Sequence, residues 1–196
     1  MRFLTLALAA AASLPFWETK PPAEWTDNEL NELMTQSPWV QKAVSAKSSG
    51  VLVYLATARP MRDAEAELAR RAKENEDQPG AEEDQDNEYA EFLQQNEGNV
   101  IVLAVSVANS KVLDDPTEAK LIEEQCVLRV GGNKYKMVGH FPPTASDPWL
   151  RLVFPRAVSE TDRSFTFDLY VPTVSEPLRF AQFKMAELKY KGKPEY

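Results

Sequence analysis

The stretch that decides the fold class is SFTFDLYV, residues 164–171. Its apolar residues Phe165, Phe167, Leu169 and Val171 occupy every second position. Because successive side chains of a strand point to opposite faces of a sheet, this alternation predicts a strand with one buried and one half-exposed face. Strands of this kind are typical of antiparallel sheets.

Comparable strand patterns lie on both sides of this stretch, and turn residues separate them. The predicted strands cover residues 125–130, 134–140, 150–154, 164–171 and 178–190. Five consecutive strands predict an antiparallel, sandwich-like sheet in the C-terminal half of the chain.

The N-terminal half combines helical patterns with two strand patterns. Thr26 and Glu29 fit the capping box of a helix, and Ser37-Pro38 indicates the start of a second short helix. Residues 51–56 and 100–107 are strongly apolar and predict buried strands. Further helices are predicted over residues 61–73, 87–95 and 116–121. The fold class is therefore predicted to be α+β, with short N-terminal helices ahead of the sheet.

An acidic segment interrupts these patterns at residues 74–88, where eight of fifteen residues are Asp or Glu. Pro79-Gly80 breaks the segment, so we expect an exposed loop at about 74–88. Asp84, Asp86 and Glu88 have the alternating oxygen ligands of a calcium loop, but position twelve of such a loop would be Gln95. A solvated loop is the favoured interpretation, and we predict no metal and no cofactor.

The first residues have the pattern of a signal peptide. A positive Met1-Arg2 precedes the apolar run 3–12, and small residues follow at a cleavage site. Residues 1–13 are therefore predicted to be removed, leaving a single domain over residues 14–196 and no transmembrane span. Removal of Arg2 leaves 30 acidic residues and one basic residue fewer than the 22 of the full chain. The predicted location is the periplasm or the extracellular space.

The formal net charge of −8 limits the classes of partner. Nucleic-acid binding is disfavoured, because phosphate contact requires a basic face. An acidic protein also lacks a general attraction to anionic lipid.

The residues available for catalysis are few. Cys126 is the only cysteine and His140 the only histidine, so a disulfide within the chain and a histidine-based metal cluster are both excluded. The favoured interpretations are a small buried side chain for Cys126 and a structural or exposed side chain for His140. The sequence also lacks a G-x-S-x-G elbow, a P-loop and a G-x-G-x-x-G motif. We therefore predict no catalytic residue.

Four tryptophans are the candidate partner-binding residues: Trp17, Trp25, Trp39 and Trp149. If exposed, they would offer a platform for a sugar or a protein, since aromatic side chains dominate interface hot spots. If buried, they would hold the N-terminal helices against the sheet. Burial is favoured, because Trp25 directly precedes the helix cap and could act as a hydrophobic staple with Leu30.

Several short motifs resemble an uncharacterised family of small exported bacterial proteins. That family carries W-[ST]-D-x-E and then S-P-W, which match residues 25–29 and 37–39. The similarity continues at residues 58–64 and in the closing strands at 183–185 and 190–193. A weaker resemblance links the chain to exported proteins with a G-W-x-T-D motif. The resemblance implies an exported protein and carries over no catalytic residue.

These features together favour a non-catalytic binding or accessory module of the cell envelope. Its expected partner is an envelope protein or a polysaccharide, contacted through an edge strand, the tryptophans or the acidic loop. One alternative is a small-ligand carrier, which requires a lined cavity. The other is a carboxylate-dependent hydrolase of envelope polymers, which requires two converging acidic side chains, one with a perturbed pKa.

Overall fold

A computed structural model describes residues 14–47, 50–75, 83–108, 110–144, 147–172 and 174–196. The predicted signal peptide lies outside the described residues, and so do residues 76–82 of the predicted acidic loop. Within the described ranges, we find no helix with the length and apolar character needed to cross a bilayer.

The chain forms helices in its first two thirds and strands throughout. The helices are α1 (Phe16–Thr19), α2 (Asp27–Gln36), α3 (Arg59–Asn75), α4 (Glu83–Gln95) and α5 (Pro116–Gln125), with 3-10 turns at Pro22–Glu24 and Ser110–Asp114. The strands are β1 (Val40–Ala43), β2 (Val51–Leu55), β3 (Val100–Ser106), β4 (Val127–Val130), β5 (Asn133–Lys136), β6 (Gly139–Phe141), β7 (Trp149–Pro155), β8 (Ser164–Tyr170), β9 (Leu178–Lys184), β10 (Lys189–Tyr190) and β11 (Lys193–Pro194).

Two antiparallel sheets are built from these strands. The first sheet has the order β1-β2-β3-β7-β6, and the second has the order β5-β4-β8-β9. The two sheets are joined where β1 meets β9. The backbones of Val44, which follows β1, and Phe180 of β9 exchange two hydrogen bonds of 2.9 Å. The predicted α+β class with antiparallel, sandwich-like sheets is confirmed.

The two sheets pack face to face over one apolar core. Phe154 of β7 lies 5.0 Å from Phe167 of β8, measured between ring centroids. Phe165 and Phe183, on the same face of the second sheet, are also buried. Burial of aromatic and aliphatic side chains on both inner faces supplies the main driving force for folding.

Helices α3 and α4 cover the other face of the first sheet. The Tyr54 hydroxyl of β2 donates a hydrogen bond to Glu65 of α3, and Tyr89 of α4 lies 5.1 Å from Phe141 of β6. The molecule therefore has three layers, in the order helices, first sheet, second sheet. This arrangement explains why β3 is buried along nearly its whole length.

The capping box at the start of α2 is confirmed. The Thr26 hydroxyl accepts a hydrogen bond from the Glu29 amide at 3.2 Å, and the Glu29 carboxylate accepts one from the Thr26 amide at 2.8 Å. The second short helix predicted at Ser37 is wrong, because residues 40–43 form β1. The Ser37-Pro38 pair makes a turn instead, and pairing with β2 outweighs the local helix signal.

The prediction of a loop at about 74–88 overestimates its length. Helix α3 continues to Asn75 and α4 begins at Glu83, so helix occupies both ends of the segment. The candidate calcium ligands Asp84, Asp86 and Glu88 therefore belong to a helix rather than to a ligand loop.

The strand predicted over residues 134–140 is two strands in different sheets. β5 pairs with β4 in the second sheet, whereas β6 pairs with β7 in the first. Val138 lies between them and donates a backbone hydrogen bond to Val153 at 2.8 Å. The pattern predicted extended chain correctly but could not show that the chain changes sheets.

Candidate functional site: the outward face of the second sheet

The tryptophans predicted as binding residues are largely inside the molecule. Trp25 and Trp39 are 3% and 0% exposed, and Trp17 and Trp149 are half-buried. The Trp39 indole donates a hydrogen bond to the Glu195 carbonyl at 2.8 Å, and its ring lies 6.0 Å from that of Trp17. These contacts agree with the burial alternative for Trp25 and Trp39. Partner binding through any of the four tryptophans stays a prediction.

Beneath α3 and α4 lies a buried ionic cluster that the sequence analysis did not identify. Arg151 of β7 is 7% exposed, donates to Glu65 at 3.2 Å and is paired with Asp147. Its guanidinium lies 4.4 Å above the Tyr89 ring, and Tyr54 donates to the same Glu65 oxygen that Arg151 contacts. Burial raises the pKa of Glu65, and the neighbouring Arg151 charge opposes that shift.

This cluster has some of the properties that the hydrolase alternative requires, since two carboxylates converge and one has a raised pKa. They converge on Arg151, however, whose guanidinium occupies the space between them. Neither of the two cavities that we describe below borders this cluster. Arg151 links the first sheet to Glu65 of α3, and we assign the cluster a structural role.

The sole cysteine and the sole histidine have structural surroundings. Cys126 is fully buried at the end of α5, and burial raises the pKa of its thiol to about 11. A thiol with such a pKa is a poor nucleophile at neutral pH. His140 lies half-buried on the short edge strand β6. Among the described residues, no three His, Cys, Asp or Glu side chains are placed to hold a metal ion.

The outward face of the second sheet, by contrast, is exposed along β9 and half-buried along β8. The register of its strands places side chains in cross-strand rows on this face. One row is Lys134, Arg129, Thr166 and Gln182, and the next is Lys136, Val127, Asp168 and Phe180. Side chains alternate along β8 and β9, so the pair Ser164 and Lys184 and the pair Tyr170 and Leu178 lie on the same face.

Cations predominate on this face. Its strand positions carry four, namely Arg129, Lys134, Lys136 and Lys184, against the single carboxylate of Asp168. Arg129 is paired with Asp168 at 2.5 Å, and Lys184 with Glu187 at 2.9 Å. Within the described part of the chain, the ammonium groups of Lys134 and Lys136 have no ion pair.

A shallow depression of about 430 Å³ lies at one end of this face. Its polar lining comes from Arg129, Asp162, Arg163, Ser164, Thr166 and Gln182, and so combines two guanidinium groups, hydroxyl groups and an amide with one carboxylate. The Arg163 side chain is exposed and has no hydrogen bond or ion pair to any residue that the structure describes.

An apolar patch occupies the other end of the same face. Leu178 and Phe180, two residues apart on the edge strand β9, are 61% and 51% exposed. Tyr170 lies directly opposite Leu178. Aromatic, aliphatic and arginine side chains side by side on an open surface are typical of binding interfaces.

Part of this outward face could be predicted from the sequence. The alternation in residues 164–171 already placed Thr166, Asp168 and Tyr170 on the half-exposed face of a strand. The cationic neighbours come from other strands, and only the register brings them beside β8.

Comparisons with known protein families, with curated proteins and with solved structures find no match for this chain. The resemblance to the W-[ST]-D-x-E family therefore stays a prediction.

Proposed function

We propose that this protein is an exported, non-catalytic binding module of the cell envelope, and that the outward face of its second sheet binds an anionic polysaccharide. The observation that carries the proposal is the row Lys134–Arg129–Thr166–Gln182 beside the guanidinium of Arg163, which has no partner among the described residues. Guanidinium groups recognise carboxylates and phosphates with paired hydrogen bonds, and hydroxyl and amide groups match the hydroxyls of a sugar.

The negative charge of the whole chain does not oppose this proposal. The acidic helix α4 lies on the far side of the first sheet, and packed sheets are about 10 Å apart. Charges are screened over about 8 Å at physiological ionic strength. A polymer on the outward face therefore meets mainly the local cations.

A flat sheet face also suits a polymer better than a small substrate. Rows of side chains along neighbouring strands offer a long contact surface, and the apolar pair Leu178 and Phe180 extends it. The predicted signal peptide and the scarcity of catalytic side chains in the sequence support an accessory role in the envelope.

The proposal is tested by measuring the affinity of the processed protein for polygalacturonate, a carboxylated polysaccharide, with uncharged dextran as the reference polymer. We expect binding to polygalacturonate only, weakening as salt is added. Arg163→Gln should reduce the affinity about fivefold, since one cation near an anionic surface contributes about 1 kcal/mol.

The matched control is Arg59→Gln, which removes one positive charge from an exposed position on α3, on the far side of the first sheet. It should leave the affinity nearly unchanged. Equal effects of the two variants, or equal binding to dextran, would show that the outward face does not recognise the polymer.

A further inference from the structure

We infer that a second cavity, between the first turn of α3 and the end of α4, binds a small organic anion that carries a carboxylate or a phosphate. This inference is independent of the proposed polysaccharide surface, because the cavity borders the helical layer. Its volume is about 270 Å³, which suits a small ligand rather than a polymer.

Two arginines from distant parts of the chain line this cavity. Arg62 belongs to α3, and Arg156 follows β7. Arg156 is held in place, because it donates a hydrogen bond to the Tyr196 main-chain oxygen at 2.7 Å and lies 4.2 Å above the Tyr196 ring. A guanidinium has five N–H donors, and the bond to Tyr196 uses one of those on Arg156.

Arg62 carries a donor that none of the described residues satisfies. Its Nε atom is buried and has no hydrogen-bond partner among the described residues. A buried donor without a partner is costly, and in native proteins it is usually met by a water molecule, an ion or a ligand. Arg62 also lines the cavity, so we expect its guanidinium group to contact an anion held there.

The remaining lining is compatible with a small anion that has a short carbon skeleton. The Thr57 oxygen accepts a long hydrogen bond of 3.4 Å from the Val102 amide, which leaves its own O–H free to donate. Leu93 and Val100 form an apolar wall. Gly98 has a φ of 77°, and a side chain there would be strained.

One carboxylate, that of Glu97, also lines the cavity. It contacts Arg62 at 3.4 Å, and its side chain is 71% exposed. So exposed a pair contributes little, and Glu97 can turn into solvent when an anion binds. The cavity lining therefore retains an excess of positive charge.

Titration calorimetry of the full chain with malonate and, separately, with inorganic phosphate tests this inference. We expect saturable binding of at least one of them and a loss of about tenfold or more in Arg62→Gln, because a charge-assisted hydrogen bond is removed. Glu97→Gln should strengthen binding. If malonate alone binds, the site recognises carboxylates; if phosphate alone binds, it recognises phosphates.

Two control variants locate the binding. Arg59→Gln makes the same charge change three residues earlier on an exposed position of α3, and Arg163→Gln changes the outward face of the second sheet. Both should retain the affinity of the unaltered protein, and a thermal melt should show that each variant is folded. Absence of saturable binding, or an equal loss in Arg62→Gln and Arg59→Gln, would overturn the inference.

Discussion

The two sheets of this protein use the same ion pair, an arginine with an aspartate, in opposite surroundings. Arg151 of the first sheet pairs with Asp147 beneath the helices, and its side chain is 9% exposed. Arg129 of the second sheet pairs with Asp168 in solvent, and its side chain is 45% exposed. Buried charges are bound to their protein partners, whereas solvent-facing charges can exchange partners. The comparison therefore separates a face that holds the fold together from a face that can bind.

The largest expected contrast lies within β9, whose two faces meet the core and the solvent. Phe183 is 0% exposed and Phe180 is 51% exposed. Phe183→Ala should lower the free energy of unfolding by about 3–5 kcal/mol, because it leaves a cavity in the core. Phe180→Ala should change it by no more than about 0.5 kcal/mol. Urea unfolding of both variants measures this contrast. Similar decreases in the free energy of unfolding would mean that the outward face is covered.

The two arginines provide the next contrast. Arg151→Met should lower the free energy of unfolding by about 3–5 kcal/mol, because the Glu65 carboxylate loses its buried partner. Arg129→Met should lower it by about 1 kcal/mol or less, since its pair with Asp168 is solvent-screened. Urea unfolding at neutral pH compares the two variants. A small effect of Arg151→Met would contradict the structural role of the buried cluster.

A smaller contrast concerns pH and two neighbouring carboxyls of α3. Burial raises the pKa of Glu65, whereas hydrogen bonds from Arg70 and Arg71 lower the pKa of Glu67 to about 2. Glu65 therefore contributes fully to the free energy of unfolding below its ordinary pKa of 4.5, and this contribution is lost as pH rises. Glu67 contributes fully to the free energy of unfolding above pH 4.5, and this contribution is lost as pH falls towards about 2.

Unfolding free energies of Glu65→Gln and Glu67→Gln between about pH 3 and pH 7 check this sign. Relative to the unaltered protein, the stability of Glu65→Gln should rise with pH and that of Glu67→Gln should fall. If the stabilities of the two variants, relative to the unaltered protein, changed with pH in the same direction, the two carboxyl groups would share one environment.

Features that depend on neighbouring residues could be predicted from the sequence. The capping box of Thr26 and Glu29 and the alternation in β8 involve positions two or three apart, so local chemistry determines them. The start of β1 illustrates the limit of such signals. Ser37-Pro38 is compatible with a helix start or a turn, and pairing with β2 decides between them.

The sites depend on contacts that are distant along the chain. Arg151 and Glu65 are 86 positions apart, and no local pattern pairs them. The cationic rows of the outward face likewise need the register of four strands. The tryptophans show a related limit, because their spacing does not indicate whether the rings face solvent or core.

The most direct test of the polymer-binding proposal is an amide chemical-shift map of the protein without residues 1–13 during titration with polygalacturonate. Binding at the outward face predicts progressive shifts for the amides of β4, β8 and β9, together with Arg163, and unchanged positions for the amides of α3. Shifts concentrated on α3, or on the tryptophan-rich N-terminal segment, would contradict the claim that the outward face of the second sheet is the binding surface.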